Sequence, residues 1–304
     1  MDSKPLVSVV IPTRNRKMIL RKCLLALNEQ TYEFNKFEII IIDDGSEQNN
    51  QTMIKNLNLE PQINYNYQNQ TGPAKARNNG IKKAQGEYII FIDDDIIVNK
   101  EFIKSHMLKH KNNDKIIVHG PVIYTNNLDN PTSAEKKIRD FSNAFFATGN
   151  ASIKKEYLIE AGLFNERFTE YGWEDLEFGK RLKKLNLKPV KAENAIGYHL
   201  KHKFSPSKIP DIRSREMQRG RMAVLYHDIN PSFSVKSSTL YWKPFMILIE
   251  VLTIANWPRT NFAENIVQFL HDKSMKNLRD FFLYFIKLDS YLIGLKEGYQ
   301  DNKK

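Results

Sequence analysis

The run Tyr88-Ile89-Ile90-Phe91-Ile92-Asp93-Asp94-Asp95 (YIIFIDDD, residues 88–95) sets the class of architecture. Five apolar residues without a polar break read as a strand buried on both faces, and three aspartates follow with no gap. Two similar strands precede it: LVSVVI (6–11), stopped by Pro12, and FEIIII (37–42), which runs into Asp43-Asp44-Gly45-Ser46. Ile63–Tyr67 reads as a third strand in chain order, and Ile116–Val118 as a short fifth. Helical patterns lie between them. Residues 16–29 place Ile19, Leu20, Cys23, Leu24 and Leu27 on one face, a polar helix carries Met53, Ile54 and Leu57, and Ala74–Ala84 and Glu101–His110 also read as helices. Continuous apolar strands alternating with helices predict an α/β fold with a mostly parallel central sheet covered on both faces. In such sheets ligands bind beyond the carboxyl ends of the strands. Three of those ends are polar here: Pro12-Thr13-Arg14-Asn15, Asp43-Asp44-Gly45-Ser46 and Asp93-Asp94-Asp95.

Downstream the pattern changes. Residues 121–133 are turn-rich, Ala134–Phe146 reads as a helix, Thr148–Ile153 as a strand and Glu174–Leu185 as a helix. From about residue 212 the chain reads as wholly helical, with breaks near Asn230-Pro231 and Trp257-Pro258. The expected organisation is one α/β domain over 1–210 and a helical C-terminal extension over 211–304.

With 46 Lys+Arg against 35 Asp+Glu the formal net charge is +11, and 41% of residues are hydrophobic, an ordinary globular balance that excludes a disordered chain. One cysteine, Cys23, excludes an internal disulfide framework and cysteine-rich metal sites, and fits a reducing cytoplasm or disulfide-free secretion, of which the cytoplasm is expected. The initial apolar run is too short for a signal peptide, and Trp242–Trp257 is too short and too interrupted to span a bilayer. Seven basic and two acidic residues fall within Lys201–Arg221, so the C-terminal part suits an anionic partner, or else presents a solvated basic face.

Three adjacent carboxylates repel one another unless a cation or a basic group neutralises them. Asp93-Asp94-Asp95 is therefore a candidate for a hard divalent metal that also holds a diphosphate, or an acidic capping turn. Asp44, beside Gly45, is placed to accept from a base N–H or sugar hydroxyls, or is a turn residue. Gly72-Pro73 with Lys75 and Arg77 puts two cations at the start of a helix, which suits phosphate, or marks a solvated face. Thr148-Gly149-Asn150-Ala151-Ser152 and Tyr171-Gly172-Trp173-Glu174-Asp175 form the next cluster: an aromatic beside paired acids suits sugar recognition, and a carboxylate there can serve as general base, or cap a helix. His199 and His202 offer two imidazoles three residues apart, ligands or structural groups.

Together the segments VSVVIPTRNR (7–16), IIIIDDGS (39–46), GPAKARNNGIKKAQGEYIIFIDDD (72–95) and TGNASIKKEYLIEAGLFNERFTEYGWEDLEFGKRL (148–182) resemble glycosyltransferase family 2. They cover most of residues 5–203, and the last is similar to the galactosyltransferase-type and chondroitin-polymerase-type branch. The resemblance implies a GT-A (nucleotide-diphospho-sugar transferase) fold and an inverting, Mn- or Mg-dependent transfer from a UDP-sugar to a saccharide or lipid-linked saccharide. It implies that Pro12, Thr13, Arg14 and Asp44 line the nucleoside pocket, Arg77 lies near the diphosphate, and Asp93 and Asp94 belong to the donor site. It implies Asp95 as metal ligand, with His202 or His199 and the Asp93 shell. Asp175 becomes the base, and Trp173, Glu174 and Asn150 border the acceptor. Lack of the Gln-x-x-Arg-Trp motif and membrane spans of processive synthases disfavours a processive enzyme, and the double Gly of the galactosyltransferase-type branch is missing between Trp173 and Glu174, which leaves the acceptor geometry open.

Two other classes fit parts of the pattern. A nucleotidyltransferase calls for a Gly-rich phosphate loop after the first strand, where Pro12-Thr13-Arg14-Asn15 stands instead. A non-catalytic nucleic-acid-binding protein accounts for the charge but leaves acidic strand ends that would repel phosphates, so no nucleic-acid partner is expected. Peripheral membrane contact through the basic C-terminal region, with Trp242–Ile254 and Phe281–Leu295 as amphipathic stretches, and self-association are the remaining partner expectations.

Overall fold

The computed structural model describes residues 5–111, 113–127, 130–134, 137, 140–142, 144–200 and 204–301. The chain divides into two compact units, 1–169 with 175–202, and 170–174 with 203–304.

In the first unit the strands are β1 (Val7–Thr13), β2 (Phe37–Asp44), β3 (Gln62–Gln68), β4 (Tyr88–Ile92), β5 (Ile96–Val98), β6 (Ile116–His119), β7 (Val122–Thr125), β8 (Asn150–Lys154), β9 (Lys188–Lys191) and β10 (Gly197–Leu200). The helices are α1 (Lys17–Leu27), α2 (Gln51–Lys55), α3 (Pro73–Lys83), α4 (Phe102–His110), α5 (Lys155–Glu160) and α6 (Glu174–Lys183). The large sheet has order β3-β2-β1-β4-β8-β6-β9. The β1, β2, β3 and β4 pairings and the β6–β9 pairing are parallel, whereas β8 runs antiparallel to both β4 and β6. The sheet is thus mostly parallel, as the uninterrupted apolar runs predict. Every residue of β2 is buried, and Leu20, Cys23, Leu24 and Leu27 of α1 pack into the same core.

Gly72 precedes α3 at φ 96°, and a Cβ there would collide with the Thr169 carbonyl, so only glycine lets Pro73 open this helix. A second, three-stranded sheet has order β5-β10-β7. Three of its features depart from the sequence reading. β7 lies within the turn-rich stretch, and β5 and β10 are strands only because they pair with each other and with β7. Periodicity does not reveal strands of three or four residues held by distant partners.

The expected helix over Ala134–Phe146 is not formed by the described residues of that stretch. Backbone N–H groups there are captured locally, Lys137 N by Asp140 Oδ2 and Ala144 N by Ser142 Oγ. Phe146 is fully buried against Phe91, Phe164 and Phe178, and this packing overrides local propensity.

The second unit is helical: α7 (Ile209–Ile229), α8 (Phe233–Thr239), α9 (Lys243–Leu252), α10 (Asn261–Asp272) and α11 (Lys276–Asp301), with a short 3-10 segment over Ile254–Arg259. Breaks fall at Asn230-Pro231 and around Trp257-Pro258, where proline interrupts the helical pattern. Gly220 lets α7 approach the α11 backbone at Tyr291. Arg259 Nε and Nη2 donate to buried Asp289, both at 2.9 Å. Among the described residues no helix is long and apolar enough to cross a membrane.

Candidate active site at the carboxyl end of the sheet

The three polar strand ends lie on neighbouring strands β2, β1 and β4 of the first unit. Arginine, not empty space, neutralises the acidic end. Arg16 Nη1 donates to Asp94 Oδ1 at 2.9 Å and to Asp95 Oδ2 at 2.8 Å. Arg77 Nη2 donates to Asp93 Oδ1 at 3.2 Å. Thr13 Oγ1 donates to Asp94 Oδ2 at 2.7 Å. Asp94 is 3% exposed; burial pushes its carboxyl up to about 6, against the opposing pull of Arg16 and Thr13.

Arg16 was absent from the expected site, although three aspartates at one strand end demand a cation and an arginine stands just past the neighbouring strand. Its first-turn neighbours and the loop after β2 line an open cavity of about 470 Å³, bounded by Asn15, Arg16, Lys17, Ser46, Gln48 and Asn50. Asn15, at φ 53°, donates its N–H to Ser46 Oγ and accepts from Glu47 N, which ties the ends of β1 and β2 together.

Asp44 is almost fully enclosed. Oδ1 accepts from Gln68 Nε2 and Thr71 N, both at 2.8 Å, and Oδ2 accepts from Gly72 N at 2.9 Å. It therefore shapes the loop that leads into α3. Arg14 is exposed and Pro12 half-buried at the end of β1. Arg77 lies on the buried face of α3, which removes the solvated-face reading for this residue, whereas Lys75 remains half exposed.

The unforeseen strand β10 brings His199 to the aspartates. His199 pairs in register with Ile96, and Leu200 N donates to Asp95 O at 3.0 Å. His199 Nε2 consequently lies 3.5 Å from Asp95 Oδ1. Asp95 Oδ1 and His199 Nδ1 are buried without a hydrogen-bond partner among the described residues. His202 lies outside the described residues. Among those described, no group of three or more His, Cys, Asp or Glu side chains is arranged to hold a metal by itself.

Asp175 sits in the first turn of α6. Its Oδ2 accepts from Thr148 N at 2.9 Å and Thr148 Oγ1 at 2.8 Å, while Oδ1 is buried and unpartnered among the described residues. Burial pushes this carboxyl up, and the Arg77 charge and the Thr148 bonds pull it back. Asp93, Arg77 and Asp175 thus interact electrostatically within one unit.

The acceptor expectations fare differently. Asn150 is 3% exposed and its amide is hydrogen-bonded through both nitrogen and oxygen. Nδ2 donates to Pro121 O at 3.0 Å and Ala195 O at 2.9 Å, and Oδ1 meets His106 Nε2 at 2.9 Å. These bonds pin the start of β8. Trp173 and Glu174 belong to the second unit. The Trp173 indole donates to Arg219 O at 2.8 Å, stacks on Tyr226 at 6.0 Å and has the Arg219 guanidinium 5.0 Å from its ring. Glu174 Oε2 accepts from Gly172 N at 3.2 Å.

The Asn150 donors also fix the tautomers of a buried relay. With Asn150 Oδ1 left as acceptor, His106 Nε2 must donate, so His106 Nδ1 accepts from Ser152 Oγ at 2.9 Å, and His110 Nε2 donates to that oxygen at 2.8 Å. Both imidazoles are neutral; burial holds His106 down to about 3 and His110 to about 4.

A mostly parallel sheet with an acidic strand end and a second small sheet beside it is the architecture of the GT-A fold, and solved glycosyltransferases match it. The solved mannosyltransferase PcManGT from Pyrobaculum calidifontis, in complex with GDP-Man and Mn2+, superposes with a TM-score of 0.63 over 99% of this chain and 89% of its own, at 15% identity. S. aureus TarS 1–349 in complex with UDP-GlcNAc superposes with a TM-score of 0.56 over 97% and 92%, at 18% identity. Residues 8–165 match Glycosyl transferase family 2, and residues 131–203 match the N-terminal domain of galactosyltransferase. The chain belongs to glycosyl transferase family 2.

Among curated relatives it is 24% identical over 266 residues to the uncharacterized glycosyltransferase YfnE of Bacillus subtilis, covering 68% of each chain. It is 29% identical over 240 residues to chondroitin synthase of Escherichia coli, covering 64% of this chain but only 34% of that one. It is 32% identical over 178 residues to a GalNAc(5)-diNAcBac-PP-undecaprenol beta-1,3-glucosyltransferase of Campylobacter jejuni, covering 54% of this chain and 56% of that one.

Proposed function

We propose that the chain transfers a hexosyl or N-acetylhexosaminyl group from a UDP-sugar to a hydroxyl of a saccharide or lipid-linked saccharide, with inversion at the anomeric carbon. The observation that carries this reading is Asp175: one oxygen tied, the other buried and unpartnered, in the unit that holds Asp93, Arg77 and Asp95. Asp175 Oδ1 takes the proton from the acceptor hydroxyl as that oxygen attacks the anomeric carbon. Arg77 holds Asp93 and stands close enough to bias Asp175 toward its ionised form. Thr13, Arg14 and Asp44 stand at the strand ends where a nucleoside would lie, and Arg77 supplies charge for its diphosphate. TarS in complex with UDP-GlcNAc, and the polyprenyl-linked substrate in the name of the Campylobacter relative, support donor and acceptor classes.

The residues fit a divalent cation completed by the donor. Asp95 Oδ1 is an orphaned buried oxygen facing the His199 imidazole, and Mg or Mn commonly takes one or two protein groups plus substrate phosphates. Asp95 and His199 would hold it, with Asp93 nearby and His202 a further candidate. Bound there, it supplies charge neutralisation for the departing diphosphate.

The α9 helix supports a peripheral contact. On α9 and at its ends Trp242, Phe245, Ile247, Leu248, Val251 and Ile254 are exposed beside Lys243, an apolar patch suited to a lipid surface. Binding to anionic vesicles in flotation is the expected result. A dimer in light scattering with no vesicle binding would assign the face to a second copy instead.

The deciding test is a nucleotide-sugar panel with Mn: UDP-galactose, UDP-glucose and their N-acetylated forms against GDP-mannose. One UDP-sugar should stabilise the protein and be turned over. Turnover of GDP-mannose alone would contradict the donor class.

A further inference from the structure

We propose that Thr148 is a positioning residue for sugar transfer: by tying one carboxylate oxygen of Asp175 through both its hydroxyl and its backbone N–H, it leaves the other oxygen presented to the acceptor hydroxyl. The proposal rests on the reading of Asp175 as the base. A carboxylate has two equivalent oxygens, and a base that must meet a substrate in one direction needs its rotation stopped. Both Thr148 donors converge on Oδ2, at 2.9 and 2.8 Å, so the side chain is fixed by a two-point fork from a single residue.

Thr148 is itself fixed. It is 1% exposed and stands two residues before β8, whose first residue Asn150 is pinned by three bonds. On the other side Phe146 packs edge-to-face on Phe178, with centroids 5.6 Å apart, and Phe178 lies three residues beyond Asp175 on α6. The start of α6 is therefore held to the segment before β8 at two places, one apolar and one polar. Only the polar one orients the carboxylate. The charged groups facing it are Arg77 from α3 and Asp93 from the end of β4. Both act on Asp175 by charge, whereas Thr148 is bonded to it. Thr148 also raises the preference for the ionised form, because its donors bond that form best.

In the step so arranged, the acceptor O–H proton moves to Asp175 Oδ1. The acceptor oxygen forms the new bond to the anomeric carbon, and the bond from that carbon to the diphosphate oxygen breaks, its electron pair leaving with the nucleotide. Misplacement of a reacting group by about 1 Å can cost roughly 100-fold.

The experiment compares Thr148→Val, Thr148→Ser and Asp175→Asn with the unmodified full chain, using the UDP-sugar turned over in the panel, and water or a sugar as acceptor. Thr148→Val keeps shape and the backbone donor and loses only the hydroxyl. It should lower kcat by about 10- to 100-fold with donor KM unchanged. It should also move the acid limb of the pH profile to higher pH. Thr148→Ser should restore most of kcat and the original limb. Thermal unfolding of each variant separates misfolding from misorientation, and Thr148→Ala serves if the valine variant does not fold. Unchanged kcat and pH profile in Thr148→Val, with Asp175→Asn inactive, overturns the positioning role alone. Near-normal turnover by Asp175→Asn overturns the base assignment beneath it.

Discussion

Arg16 Nη1 stands 2.8 Å from Oδ2 of Asp95, so the cation that balances the acidic strand end comes from the chain itself. The same nitrogen serves Asp94 at 2.9 Å. The two oxygens differ: Oδ2 of Asp95 is held by arginine, and Oδ1, 3.5 Å from His199 Nε2, is buried without a hydrogen-bond partner among the described residues.

Replacing Arg16 with Gln removes that balance. Two adjacent carboxylates then lack their partner, and Asp94 is deeply buried. Because Arg16 itself is 43% exposed, the cost is set below that of a fully buried pair, at about 2 kcal/mol. Arg16→Lys should recover part of it, since a point charge cannot reproduce the guanidinium geometry. Thermal unfolding at pH 7 checks both; a Gln variant as stable as the parent would contradict the role.

The buried histidine relay predicts acid sensitivity. His106 and His110 stay neutral in the folded chain, with values near 3 and 4, while the unfolded chain protonates them below about 6.5. The unfolded state then binds more protons, so stability is full above about 6.5 and falls as pH drops toward 4. The fall should reach on the order of 5 kcal/mol if both groups contribute. His110→Gln should flatten the decline between pH 6.5 and 5 in a melting series. An unchanged slope would place the acid sensitivity elsewhere.

Asn150→Ala separates structure from acceptor binding. The substitution strips partners from Pro121 O, Ala195 O and His106 Nε2, all in the interior. Losing these should destabilise by about 2–3 kcal/mol. Where the variant folds, acceptor KM should be unchanged. A raised acceptor KM with normal stability would instead place Asn150 in the acceptor site.

The parallel core was readable because β1, β2 and β4 are apolar without interruption, a pattern that needs no tertiary context. Asp93–Asp95, Arg77 and Asp175 were readable as a constellation for the same reason: each follows or opens a clear element. Two things were not. The β5-β10-β7 sheet consists of strands of three or four residues that exist only through distant pairing, yet it is what carries His199 to Asp95. Side-chain partners were also hidden: the bonds from Asn150 to Pro121 O and Ala195 O, and the contacts of Trp173 with Arg219 O and Tyr226, join residues far apart in the chain.

The most direct test of the central claim is Asp175→Asn, measured for sugar transfer and for stabilisation by UDP in the same preparation. Transfer should fall by roughly 100- to 10,000-fold while the UDP-induced shift in melting temperature stays as in the parent. Near-parental transfer by the Asn variant would contradict the claim.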